Sequence, residues 1–121
     1  MGSHVDGRQV DVLVVTADRE FAAGAAEQLS AHPRLRVTNA TTVREAVDRL
    51  TTADGVDCVV SDHDLPDTDG VAFLELVRSR APTLPFVLFT SEGSEAVASR
   101  AISADVTEYL IKEHHSDQWD R

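Results

Sequence analysis

The sequence predicts an α/β domain built on a five-stranded parallel sheet. Two observations carry this expectation. Five short apolar runs rich in β-branched residues recur along the chain, and the first four are each followed by a segment with helical spacing. Polar residues stand directly after these runs, and no repeat or low-complexity tract interrupts the alternation. Strands alternating with helices give parallel neighbours, right-handed crossovers and helices on both faces of the sheet.

Val10-Asp11-Val12-Leu13-Val14-Val15 is the first strand. Asp18 then offers a helix N-cap, and Phe21, Ala22, Ala25, Ala26 and Leu29 recur at helical spacing up to His32-Pro33. Leu35 to Ala40 is the second strand. Thr42-Val43-Arg44-Glu45 has the spacing of a capping box and opens a helix carrying Ala46, Val47 and Leu50, which Asp54-Gly55 ends. Val56 to Ser61 is the third strand, and a polar loop from Asp62 to Gly70 follows it. In that loop Asp67 and Asp69 read as turn acids, and Gly70 as backbone freedom where the next helix begins. That helix carries Val71, Phe73, Leu74 and Val77 and must end before Pro82. Pro85 to Thr90 is the fourth strand, Glu95 to Ala104 an Ala-rich helix and Thr107 to Ile111 the fifth strand. A last helix begins near His114-His115-Ser116 and is cut short around Trp119.

Composition narrows the function classes. The chain has 121 residues, with 21 Asp+Glu against 11 Lys+Arg, a formal net charge of -10. This length fits one folded unit, residues 10–121, behind a loose polar segment, residues 1–9, whose Met1-Gly2-Ser3-His4 reads as a cloning remnant. The charge opposes direct nucleic-acid contact, which needs clustered Lys and Arg. No apolar run approaches the about 20 residues of a membrane span, so a cytoplasmic domain is expected. The single cysteine, Cys58, lies in an apolar run and reads as a small buried hydrophobe. Ten of the 11 basic residues are Arg, and the one lysine is Lys112. An acidic, lysine-poor surface suits a high-salt solvent, a halophilic composition.

In such sheets ligands bind beyond the carboxyl ends of the strands. There the sequence places Thr16, Ala17 and Asp18 after the first strand, and Asp62, His63 and Asp64 after the third. Thr90 and Ser91 follow the fourth, and Lys112 follows the fifth. A carboxylate nucleophile, a hydroxyl and an ammonium can together accept and hold a phosphoryl group. His63 alternates away from Asp62 and reads as a surface residue, and His114-His115 lack a third metal ligand.

The segment Val60-Ser61-Asp62-His63-Asp64-Leu65-Pro66-Asp67-Thr68-Asp69-Gly70 resembles the phosphoacceptor loop of response-regulator (CheY-like) receiver domains. Phe89-Thr90-Ser91 resembles their switch-hydroxyl strand end, and Glu108-Tyr109-Leu110-Ile111-Lys112 their Tyr-x-x-Lys segment. The resemblance spans Val10 to about Trp119. It implies a flavodoxin-like, doubly wound sheet of order 2-1-3-4-5. It also implies that Asp62 accepts a phosphoryl group from a histidine kinase and that Thr90 and Lys112 contact its oxygens. Tyr109 would report the switch to an output domain or partner protein, which can lie in the same polypeptide. Mg²⁺ would be held by Asp62 and the Asp64 backbone carbonyl. Homodimers also occur in this family.

The chain departs from the pattern in three places. Receivers carry two adjacent acids after the first strand to hold Mg²⁺, and here those positions are Thr16 and Ala17. Asp18, one step on, is the remaining acid, and as a helix cap it would point to backbone N–H groups instead of the metal. Glu113 stands where the family usually has proline, and the last helix is short. The leading function is therefore a phosphorylated signalling receiver. The alternative is a degenerate, phosphorylation-independent interaction module with a weakened Mg²⁺ site. A remote one is an Asp-nucleophile phosphatase, because Asp62-x-Asp64 also resembles the Asp-x-Asp of haloacid-dehalogenase-type enzymes.

Overall fold

The computed structural model describes residues 9–52, 55–90 and 95–111. The elements are β1 (Val10–Val15), α1 (Arg19–Ser30), β2 (Leu35–Ala40), α2 (Val43–Thr52), β3 (Val56–Asp62), α3 (Gly70–Arg80), β4 (Phe86–Thr90), α4 (Glu95–Ser103) and β5 (Glu108–Ile111). The strands form one sheet in the order β2-β1-β3-β4-β5, with every pairing parallel. This is the expected fold. β3 runs one residue further than the apolar pattern indicated, to include Asp62. The expected last helix lies outside the described residues.

Strand alternation divides the core between the two faces. Leu13, Val15, Val59, Phe86 and Leu88 pack with residues of α2, α3 and α4 on one side. Val12, Val14, Val60 and Phe89 pack with Phe21 and Ala25 of α1 on the other. Each layer has an edge-to-face aromatic pair, Phe73–Phe86 at 5.4 Å and Phe21–Phe89 at 5.2 Å. The half-buried Cys58 joins the α1 side, and burial raises its thiol pKa.

Three helix starts fix loops at the carboxyl edge of the sheet. Asp18 caps α1, accepting the Phe21 N–H at 3.1 Å. Thr42 caps α2 through its hydroxyl, which accepts the Glu45 N–H at 3.0 Å. The returning arm of the capping box differs from expectation: the Glu45 carboxylate takes the Thr41 N–H at 2.9 Å and the Thr41 hydroxyl at 3.2 Å. The first two amides of α2, of Val43 and Arg44, each donate at 3.1 Å to the carboxylate of Asp67, from the distant β3–α3 loop. Asp69 caps α3, accepting the Ala72 N–H at 2.8 Å.

Candidate functional site

The buried polar side chains among the described residues are Thr16, Ser61, Asp62 and Thr90. All four sit at or next to the carboxyl ends of β1, β3 and β4. Burying polar groups is costly unless they are bonded, so their concentration at one edge marks a built site.

Register explains how two of them meet. β1 and β3 pair up to Val15↔Ser61. One step beyond come Thr16 and Asp62, both on the side shared by Val14 and Val60. The Thr16 hydroxyl donates to Asp62 Oδ2 at 3.1 Å and accepts the Asp18 N–H at 3.0 Å. The other carboxylate oxygen, Asp62 Oδ1, accepts the Asp64 N–H at 3.3 Å. The Thr16 amide is itself anchored to the Ala40 carbonyl at 2.9 Å, and Asn39 donates to the Val14 carbonyl at 2.9 Å. Asp62 is registered with Phe89, whose carbonyl accepts the His63 N–H at 2.7 Å. Thr90, next on β4, is buried and registered with Ile111. Lys112 follows Ile111 in sequence but lies, with Ser91, Glu113, His114 and His115, outside the described residues.

Gly70 closes the loop for a reason other than backbone freedom. Its φ is not positive, and a Cβ placed on it would stand 2.6 Å from the Asp62 carbonyl and 2.5 Å from Leu88 Cδ1. Its amide donates to the His63 carbonyl at 2.8 Å. The missing side chain lets α3 begin directly against the end of β3.

The turn acids also have specific partners. Burial opposes the charge on Asp67, but the amides of Val43, Arg44, Asp67 and Thr68 more than offset it and hold its pKa below the ordinary aspartate value. Asp69 is likewise held low: burial opposes its charge, and the Ala72 amide, Arg100 and His63 outweigh it. Arg100 of α4 lies 3.5 Å from Asp69 Oδ2, so α4 is tied to the loop that follows Asp62. His63 is half-buried, where the sequence indicated a surface residue, and its backbone is bonded on both sides, to Phe89 and Gly70. Its Nδ1 is buried with no hydrogen-bond partner among the described residues. Tyr109 packs against the core with its hydroxyl oxygen in the same condition.

A model of the response regulator receiver domain family matches residues 12–119. The chain belongs to this family. The bacterioopsin transcriptional activator of Halobacterium salinarum is 38% identical to it over 98 residues, 81% of this chain but 14% of that protein. The non-phosphorylated HemR receiver domain from Leptospira biflexa superposes with a TM-score of 0.80 at 26% identity, covering 92% of this chain and 88% of that one. The beryllofluoride-activated NtrC4 receiver domain dimer gives 0.81 at 26% identity, over 90% of this chain and 88% of that one. Receiver domains of two-component systems work with histidine kinases and output domains, and they typically hold Mg²⁺ at an acidic pocket.

After β1, beside Asp62, this receiver has Thr16 and Ala17. Mg²⁺ requires near-octahedral oxygen ligands and usually one or two carboxylates. Here the Thr16 hydroxyl is hydrogen-bonded to Asp62, and the Asp18 carboxylate is engaged by the Phe21 amide. Asp64 is exposed. No group of three acidic, histidine or cysteine side chains among the described residues could hold a metal ion. No described helix is long and apolar enough to cross a membrane.

Proposed function

We propose that this receiver is a phosphoacceptor switch whose acceptor is Asp62, driven by a histidine kinase and read by an output domain or partner protein. The observation that carries the reading is the buried Asp62 carboxylate at the end of β3, hydrogen-bonded to the buried Thr16 hydroxyl, with Thr90 buried at the end of the neighbouring strand β4. A carboxylate oxygen of Asp62 attacks the phosphorus of a kinase phosphohistidine. The P–N bond breaks, a P–O bond forms and the imidazole leaves. The Thr90 hydroxyl donates to a phosphoryl oxygen, and Lys112 supplies the countercharge. Tyr109 is the reporter, because it packs against the core with a buried hydroxyl that has no hydrogen-bond partner among the described residues, so an outward rotamer that solvates the hydroxyl is accessible. The reading takes residues 10–121 as the receiver unit, non-enzymatic and cytoplasmic, with self-association as a further use of the fold.

A second reading has its own observation. The first position of the usual acid pair is Thr16, which bonds Asp62 as a hydroxyl donor. This favours a phosphorylation-independent interaction module. Intact mass after incubation with a small-molecule phosphodonor separates the two. One phosphoryl addition, lost in Asp62→Asn, supports the switch. No addition to a folded chain, with or without Mg²⁺, contradicts it and leaves the interaction module.

A further inference from the structure

We infer that Thr16 is a positioning residue that holds the Asp62 carboxylate in place of a divalent cation and keeps the pocket's affinity for such a cation low. The direction of the hydrogen-bond chain is fixed by its ends. Asp18 contributes an amide N–H, which can only donate, at 3.0 Å from Thr16 Oγ1. The hydroxyl has one hydrogen of its own, and Asp62 Oδ2 lies 3.1 Å away. A carboxylate there accepts it. The chain therefore runs from amide to hydroxyl to carboxylate, and Thr16 is 1% and Asp62 4% exposed, so water competes weakly for it.

A cation at this place would need lone pairs directed at it. Instead, a proton is directed at an oxygen of the carboxylate that would be the ligand. The charge count points the same way. Ala17 brings no charge, and the Asp18 carboxylate is engaged 3.1 Å from the Phe21 amide. Mg²⁺ gives up water reluctantly and is usually held by one or two carboxylates together with phosphate oxygens, so a single carboxylate that already accepts hydrogen bonds is a weak ligand set. The inference concerns the same pocket as the proposed switch, but it is read by cation binding, which stays informative if no phosphoryl group is taken up.

The test is a Mg²⁺ titration of the ¹⁵N-labelled protein, following the amides of residues 16–18 and 62–64. The wild type is expected to show no saturable local shift at millimolar Mg²⁺. Thr16→Asp, which adds a carboxylate beside Asp62, is expected to saturate at least about tenfold more tightly. Saturable local binding by the wild type with affinity similar to Thr16→Asp overturns the inference, and so does a folded Thr16→Asp that gains no binding. Thr16→Val and Thr16→Ser keep the inference testable if the acid is not tolerated. The valine variant is expected to shift the Asp62 carboxyl ¹³C signal and to speed exchange of the Asp18 amide, and serine to restore both. An Asp62 signal unmoved in Thr16→Val overturns the positioning role.

Discussion

Gly70 carries more of the site than its position in a turn indicates. A methyl group there meets the Asp62 carbonyl and the Leu88 side chain, one backbone and one core, so neither can yield cheaply. Gly70→Ala is expected to destabilise the fold by about 1–3 kcal/mol through overpacking, measured by denaturant unfolding. An unchanged unfolding midpoint would contradict the close approach. Asp62 and Thr90 were legible in the sequence because each ends an apolar run, and strand ends gather at one edge of a parallel sheet. Thr16 was legible only as a missing acid. Its bond to Asp62 depends on parity between strands separated by 46 positions. His63 is more buried than a surface reading implied, because the sequence alone does not show what packs over the start of the loop.

At the scale of elements, two side chains join segments distant in sequence. Arg78, with a side chain 13% exposed, donates to the carbonyls of Asp105 at 2.8 Å, Ala81 at 3.2 Å and Leu84 at 2.6 Å. It ties the end of α3 to the turns before β4 and β5. Arg78→Ala is expected to cost about 2–3 kcal/mol, and Arg78→Lys to recover only part, because an ammonium lacks the planar fork. Full recovery by lysine would contradict this account. Asp67 joins the β3–α3 loop to the start of α2. The sequence showed a turn acid there but gave no sign that its partner amides lie more than twenty residues upstream. Asp67 and Asp69 both have pKa values lower in the fold than in the unfolded chain. Their stabilisation is fully present above the unfolded value, near about 3.9, and is lost as pH falls through the folded values. Thermal melts across this acid range should show a steep loss in the wild type and a shallower one in an Asp67→Asn, Asp69→Asn double variant. Equal slopes would contradict the assigned partners.

At the scale of the whole molecule, the element order was readable because periodicity switched cleanly between strand and helix, and the observed sheet follows it. The expected last helix and Lys112 fall outside the described residues. The net charge of -10 is spread over a chain with one lysine, and self-repulsion opposes the compact state. Added KCl should therefore raise the thermal midpoint by screening, and a flat or falling midpoint would contradict that role for the charge. The central claim is that the carboxylate held at the end of β3 takes up a phosphoryl group. An acyl phosphate, unlike a free carboxylate, is reduced by borohydride to an alcohol. The most direct measurement is hydride trapping after phosphodonor treatment, followed by peptide mass mapping. The account predicts homoserine at position 62 and nowhere else in the 62–69 loop; homoserine at Asp64, Asp67 or Asp69 instead, or at no position in a folded chain, would contradict it.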